Sequence, residues 1–155
     1  MADSREAALR LADFLPYQLS IASNAVSNRI AEVYRARFGL KIPEWRVMAV
    51  LGDRGALTQR ELTEATVMDK VAVNRACKAL EARGLLVREP NAQDGRSHHL
   101  ALTSGGQAMH GRIMPLALEM ERELFGGLDP ADRATFSRLL ALVRDEAGRD
   151  SPASR

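Results

Sequence analysis

Apolar residues recur every three or four positions along much of the chain, which is the spacing of α-helices that bury one face. Pro16 is suited to the first turn of a long helix, and Gly39 is suited to the left-handed position just after its end. Thr58 and Glu61 form a capping box at the start of another helix. In the first half of the chain, helices are therefore predicted over residues 16–38, 44–53, 58–66 and 69–83.

The helix predicted over residues 69–83 has two chemically different sides. Its apolar side follows the i, i+3, i+4, i+7 pattern and consists of Val73, Ala76, Cys77 and Leu80. The opposite side carries polar and cationic groups, namely Lys70, Asn74, Arg75 and Lys78. Two helices joined by a short connection, with a packing helix before them, are typical of a helix-turn-helix.

The hydrophobic pattern changes to alternation after Gly84, which indicates β-strands. The polar segment that follows ends in Asp94-Gly95, a dipeptide typical of tight turns. A β-hairpin is therefore predicted, with strands over residues 85–89 and 98–103. A hairpin that directly follows a helix-turn-helix makes a winged helix.

Two further helices are predicted near the C-terminus. Ser104 and Gln107 form a capping box for the first, and Pro115 is expected to kink it. Asp129 is suited to cap the second helix through its carboxylate, and Pro130 is suited to the first position of that helix. The fold class is thus mainly α with a small β-hairpin wing: a winged helix-turn-helix flanked by helices whose apolar stripes favour dimerisation.

The chain has 155 residues, of which 46% are apolar and 27% charged, so it suits one globular domain and is not disordered throughout. Its formal net charge is only +2, so a polyanionic partner has to be argued from where the cations lie. No apolar run reaches the roughly 20 residues of a membrane helix, and the first residues lack a signal-peptide pattern. With a single cysteine, a cytoplasmic protein is expected. The predicted organisation is a dimerisation helix over residues 1–40, a DNA-binding domain over 41–103, and C-terminal dimerisation helices and tail over 104–155.

A winged helix can contact DNA in two ways. Its second helix fits the major groove, where each base pair presents a distinct pattern of donors and acceptors. The hairpin tip can reach the minor groove, whose negative potential attracts arginine. Arg96 lies where such an arginine is needed, and Asp94 can hold its guanidinium in place. The free N–H groups at the helix start near Thr58 and Gln59 suit a phosphate.

Three motifs resemble the MarR family of winged helix-turn-helix regulators. They are the wing segment 94–103, with its Asp-Gly-Arg start and Leu-Thr end, and the segments 80–86 and 58–62. The resemblance spans residues 16–147 and implies a homodimeric transcription factor, in most members a repressor, that binds a palindromic operator in double-stranded DNA. It also implies a small-molecule effector, often an aromatic acid or its thioester, that binds between the dimer region and the DNA-binding lobe and releases the DNA.

The resemblance and the helix faces together give two sets of candidate site residues. The candidate DNA contacts are Thr58, Gln59, Lys70, Val71, Ala72, Asn74, Arg75, Lys78, Arg88, Asp94, Arg96, Ser97 and His98. The candidate effector contacts are Tyr17, Ser20, Asn24, Trp45 and Arg46. Many relatives carry a hydroxyl residue where this chain has Val71 and Ala72, whose apolar groups suit thymine methyls.

Several candidates also have a plainer interpretation. The polar side of the fourth helix can be a solvated face, Arg96 can form a surface ion pair with Asp94, and Trp45 can be a core anchor. His98 and His99 do not suggest a metal site, because adjacent strand residues point to opposite sides of a sheet.

Two other classes of function compete with a ligand-responsive regulator. An enzyme is not expected, since the chain shows no nucleophile–base pair and no phosphate-binding loop, and no cofactor or metal is predicted. Cys77 is expected to be buried and inert, and the first helix lacks the cysteine of the family's peroxide-sensing branch. The remaining alternative is a winged-helix module for protein interaction or DNA architecture, which would bind DNA regardless of sequence.

Overall fold

A computed structural model describes residues 10–93 and 95–149, so Asp94 and the predicted tail beyond residue 149 lie outside the described residues. After a short 3-10 helix at Leu11–Asp13, the α-helices of the described part are α1 (Leu15–Phe38), α2 (Ile42–Arg54), α3 (Gln59–Thr66), α4 (Lys70–Ala82), α5 (Ser104–Phe125) and α6 (Pro130–Gly148). Its strands are β1 (Leu57–Thr58), β2 (Leu86–Pro90) and β3 (His98–Leu102). The predicted fold class, mainly helical with a small hairpin wing, is confirmed.

Most helix ends follow the predicted caps. The Oγ1 of Thr58 accepts the backbone N–H of Glu61 at 3.2 Å, and a Glu61 carboxylate oxygen accepts the Thr58 N–H at 2.8 Å. The hydrogen bond from the Thr58 N–H, followed by the interaction with the Thr58 side chain, lowers the pKa of the Glu61 carboxyl. The carboxylate of Asp129 caps α6 by accepting the N–H of Asp132 at 2.7 Å. Local side-chain chemistry therefore fixes where these two helices begin.

The predicted cap of α5 is wrong by one residue. Thr103, not Ser104, caps the helix, because its Oγ1 accepts the N–H of Gly106 at 3.0 Å. The same hydroxyl donates to the carbonyl of Gly84 at 2.6 Å, and the Thr103 N–H donates to the carbonyl of Leu85 at 3.1 Å. Thr103 thus ends the hairpin and starts the helix at once, and these tertiary bonds outweigh the local Ser104–Gln107 pattern.

The wing is part of a three-stranded antiparallel sheet with the order β1-β3-β2. Leu86 pairs with Leu102 at the base of the hairpin, and Pro90 pairs with His98 near its tip. Leu57 of β1 pairs with Leu100 on the other edge of β3. The strand β1 was not predicted, because two residues are too few to produce an alternating pattern.

The core of the winged helix is formed by apolar faces of its helices and of the sheet. Fully buried side chains come from α2, α3, α4 and β3, and include Met48, Leu62, Val73, Leu80 and Leu100. The chain divides into two compact units, and the boundary falls between Met114 and Pro115 of helix α5. No described helix has the length and apolar character needed to cross a membrane.

The apolar stripes on the terminal helices stay accessible in a single chain. On α6, the side chains of Phe136, Leu139, Leu140 and Val143 are 41–54% exposed. On the first half of α1, the same holds for Leu15, Leu19 and Ile21, with exposed fractions of 46–73%. The predicted stripe of α6 is therefore present and exposed, whereas on α1 the exposed apolar side chains lie in the first half of the helix and the stripe predicted from sequence becomes buried toward Tyr34.

Candidate nucleic-acid interface and adjoining cavity

The predicted two sides of α4 are present in the structure. Val73, Cys77 and Leu80 have no solvent exposure. The outward side presents Lys70, Val71, Arg75 and Lys78 as exposed side chains, with Ala72 and Asn74 half-buried between them. Within the part of the chain that the structure describes, none of the three cations on this side forms an ion pair.

Both ends of α4 are held by hydrogen bonds. The carboxylate of Asp69 caps the start by accepting the N–H of Ala72 at 2.8 Å. Just beyond the other end, the Arg83 guanidinium donates to the carbonyl oxygens of Phe38 at 2.9 Å and Gly39 at 3.2 Å. This link to the end of α1 was missed by sequence reasoning, because nothing local to Arg83 indicates a partner more than forty residues away.

Arg88, a predicted DNA contact, is engaged inside the domain. Its Nε donates to a Glu81 carboxylate oxygen at 2.7 Å, and its Nη1 donates to the side-chain oxygen of Gln59 at 3.2 Å. All three residues are half-buried. One guanidinium therefore connects β2 to α4 and to the first residue of α3, and Gln59 uses its amide oxygen for this contact.

The tip of the wing is closed by one residue pair. Asn91 donates its backbone N–H to the carbonyl of Ser97 and its side-chain amide to the Ser97 hydroxyl, each at 3.0 Å. Arg96 is exposed on the tip, and His98 is exposed where β3 begins. Ser97 thus shapes the tip, whereas Arg96 lies on its outer surface.

An open cavity of about 580 Å³ lies beside α2. Its lining consists of Trp45, Ala49, Val50, Gly52, Asp53, Arg54, Ala65, His110 and Met114. The Trp45 ring packs edge-on against Tyr34 with 4.8 Å between centroids. Trp45 therefore packs on the buried Tyr34, as the core-anchor interpretation predicts, and it also lines the cavity.

The other predicted effector residues do not line this cavity. Tyr17, Ser20 and Asn24 are exposed on the first half of α1, and Arg46 is exposed on α2. A helix rises about 1.5 Å per residue, so Asn24 lies about 15 Å along α1 from Tyr34, which packs on Trp45. Within one chain the five predicted residues do not come together, whereas Arg54, His110 and Met114 line the cavity and were missed. Sequence gave no signal for them, because they meet only when α2 packs beside α5.

Cys77 is buried in the hydrophobic core of the winged helix, as predicted. It has no solvent exposure, and burial raises the pKa of its thiol to about 11. His98 and His99 differ in exposure, and no cluster of three metal-ligating side chains occurs among the described residues.

The buried, protonated thiol of Cys77 should resist chemical modification. Because the thiolate is the reactive form, we expect a disulfide reagent at pH 8 to label the native protein at least about a hundredfold more slowly than the urea-unfolded chain. Cys77 is the only cysteine, so the released chromophore reports this site alone. Equal labelling rates with and without urea would contradict the burial and reopen a redox role.

Comparisons with known proteins agree with this geometry. The sequence model of the MarR family matches residues 38–97, which include α2–α4 and most of the wing. The transcriptional regulator HosA of Escherichia coli O127:H6 is 29% identical over 98 residues, covering 63% of this chain and 73% of that protein.

Solved structures extend the similarity over most of the chain. Bordetella bronchiseptica BpsR, whose DNA binding is regulated by 6-hydroxynicotinic acid, is 25% identical with a TM-score of 0.80, covering 92% of this chain and 99% of that one. A variant of Escherichia coli MarR complexed with operator DNA shares the fold, with a TM-score of 0.76 at 24% identity, over 83% of this chain and 92% of that one. The family match over the winged helix, the relatives and the solved structures together make this chain similar to the MarR family of transcriptional regulators.

Proposed function

We propose that this protein is a homodimeric, sequence-specific repressor that binds a palindromic operator and is released from it by a small aromatic or anionic effector. The observation that carries the proposal is the outward side of α4, where Lys70, Arg75 and Lys78 are exposed and form no ion pair with any described residue. When such a helix lies in the major groove of DNA, its cations neutralise phosphates and its other side chains reach the edges of the bases.

The roles of individual side chains follow from their positions on α4 and the wing. Arg75 and Asn74 lie toward the middle of the outward face and are the proposed base readers, since arginine pairs with guanine and asparagine with adenine in the major groove. Val71 and Ala72 offer apolar contact to thymine methyls. Lys70 and Lys78 are proposed phosphate contacts, as are Thr58 and Gln59 at the start of α3. Arg96 on the wing tip is the proposed minor-groove contact, with Ser97 and His98 beside it.

The homodimer is supported by the exposed apolar stripes of α1 and α6. Contiguous apolar faces of this kind mark interaction surfaces in soluble proteins. A two-fold dimer presents its two copies of α4 to major grooves about 34 Å apart. The two half-sites of the operator are then related by the same two-fold symmetry, which makes the operator palindromic. The flanking helices are accordingly proposed as the dimerisation region, and residues 41–103 as the DNA-binding domain.

The effector site is proposed in the cavity beside α2. Trp45 offers an aromatic face, and Arg54, which forms no salt bridge among the described residues, offers a cation for a carboxylate. The regulation of BpsR by an aromatic acid supports this ligand class. By linkage, an effector that releases DNA must bind the DNA-free protein more tightly. Equal effector affinity with and without operator would contradict the mechanism.

The proposal is tested by fluorescence-anisotropy titration with DNA from upstream of the protein's own gene, in competition with scrambled DNA at physiological salt. We expect a preference of the order of 10³ or more for one fragment. Equal affinity for the two DNAs would favour the architectural module instead, particularly if other genomic fragments were bound no better.

A second prediction separates DNA contacts from positioning residues. Because Lys78 is exposed and forms no ion pair with a described residue, we expect Lys78→Met to reduce the salt dependence of binding by about one counterion per protomer. Arg88 is occupied by Glu81 and Gln59, so Arg88→Met should weaken binding without changing that slope. The measurement is affinity against salt concentration for both variants, with thermal unfolding as the control for folding. Equal slope changes would make Arg88 a phosphate contact.

A further inference from the structure

His110 of α5 lies against the backbone of α2 at Gly52. A Cβ atom placed on Gly52 would overlap three atoms of the imidazole, Nε2, Cδ2 and Cε1. Glycine within a helix lowers stability by about 0.5–1 kcal/mol relative to alanine, so a glycine at position 52 needs a structural explanation. The imidazole supplies one, because it occupies the space that any larger residue would fill.

The same imidazole separates two cavities. Gly52 and His110 line both the 580 Å³ cavity that contains Trp45 and a second cavity of about 340 Å³. The remaining walls of the second cavity are Leu51, Gly55, Ala56, Ala101, Leu102 and Gln107. His110 is therefore a shared wall, with the proposed effector site on one side and the base of the wing on the other.

The second cavity borders the strand that carries the wing. Ala101 and Leu102 belong to β3, the central strand, and pair with Val87 and Leu86 of β2. A group that enters this cavity presses on the strand that holds both β1 and β2. The two strands of the hairpin pair from Leu86–Leu102 at the base to Pro90–His98 near the tip, so a displacement of β3 would also move its partner β2.

Packing alone holds the imidazole in place. His110 is half-buried, and neither ring nitrogen has a hydrogen-bond partner in the described ranges. The second cavity is large enough to receive the ring, since about 150 Å³ suffices for benzene in a protein interior. The ring can thus leave Gly52 without breaking a hydrogen bond.

We propose that His110 couples the effector cavity to the wing: an aromatic acid bound beside Trp45 displaces the imidazole from Gly52 into the second cavity, against Ala101 and Leu102. This inference rests on the proposed effector site and names how that site is regulated. In the ligand-bound protein, β3 is displaced by the His110 ring. In the operator-bound protein, the ring stays against Gly52, so ligand and operator favour different positions of this side chain.

The substitution Gly52→Ala tests the coupling without any ligand, because its Cβ expels the ring. We expect the ¹H–¹⁵N signals of Ala101 and Leu102 to shift in Gly52→Ala and to return toward wild type in Gly52→Ala/His110→Ala, where no ring remains to be displaced. Fluorescence of Trp45, the only tryptophan, should change in the single variant and not in the double variant. Affinity for the upstream DNA fragment should fall about fivefold or more in the single variant and recover in the double.

Two outcomes would overturn the proposal. One is a Gly52→Ala protein that is folded by circular dichroism but leaves the Ala101 and Leu102 signals unmoved. The other is a double variant as perturbed as the single one, which would show that the added methyl group acts independently of His110. Loss of DNA binding by every protein, including wild type, would count against the proposed function and leave the spectroscopic result to decide the coupling.

His110→Ala provides the second arm should Gly52→Ala not fold. With 6-hydroxynicotinic acid as the probe, wild type should show quenching of Trp45 together with shifts at Ala101 and Leu102. His110→Ala should retain the quenching and lose the shifts. Shifts of equal size in both proteins would contradict the coupling, and absence of quenching in both would contradict the proposed effector class, with the Gly52 arm still testing the coupling.

Discussion

Gly106→Ala is expected to lower the free energy of unfolding by at least about 2 kcal/mol. Gly106 is buried in the first turn of α5, and a Cβ there would overlap the carbonyl oxygen of Leu85 while lying 3.2 Å from the Cβ of Leu102. The obstacle is backbone rather than a flexible side chain, so α5 or the start of β2 has to move. For a chain of this size, the loss corresponds to a fall in melting temperature of about 5 °C or more.

The chain offers a matched control for this substitution in the neighbouring residue. Gly105→Ala places its Cβ 3.7 Å from the nearest atoms, which is ordinary contact, and the residue is exposed. Thermal unfolding of the two variants should therefore differ, with Gly105→Ala within about 0.5 kcal/mol of wild type or more stable. Equal stability of Gly105→Ala and Gly106→Ala would show that the close approach between α5 and the wing is absent.

Arg75→Ala is expected to reduce operator affinity by about two to three orders of magnitude. A bidentate contact to a base contributes about 1–3 kcal/mol of discrimination, and a homodimer presents Arg75 twice. Affinity for scrambled DNA should fall far less, because only the phosphate component of the contact is lost there. The measurement is anisotropy with operator and scrambled DNA at one salt concentration.

The control for Arg75 is an arginine of similar exposure away from the outward side of α4. Arg60 is exposed on α3 and pairs with Glu64 at 3.4 Å. Arg60→Ala should leave the ratio of operator to scrambled affinity unchanged. A fall in both affinities by the same factor in Arg75→Ala would make Arg75 a phosphate contact and move base reading to Asn74 or the wing.

Much of the fold could be predicted from sequence because local signals coincide with tertiary ones. The faces of α4 and the caps at Thr58 and Asp129 follow from side-chain spacing alone, and the structure confirms them. The cap of α5 could not be predicted, since Thr103 is fixed by bonds to Gly84 and Leu85 across the hairpin. Sequence patterns predict a helix cap correctly when the hydrogen-bond partner of the capping side chain lies within a few residues of it.

The candidate site could be predicted only in part, because some of its residues come together only through tertiary packing. The exposed side of α4 is a property of one helix, so the exposure of its cations could be predicted. The cavity is formed by α2, α3 and α5, so the roles of Arg54 and His110 depend on packing that no local pattern encodes. Arg88 was among the predicted DNA contacts, and its hydrogen-bond partners Gln59 and Glu81 on α3 and α4 could not be predicted from local sequence.

The central claim is that two copies of this chain read one palindromic operator through α4 and the wing. Hydroxyl-radical footprinting on the tightest-binding upstream fragment tests it most directly. We expect two protected backbone segments with centres about 10 base pairs apart on one face of the DNA, each flanked by minor-groove protection that disappears in Arg96→Ala. Uniform protection without a fixed register, unchanged in Arg75→Ala and Arg96→Ala, would contradict it.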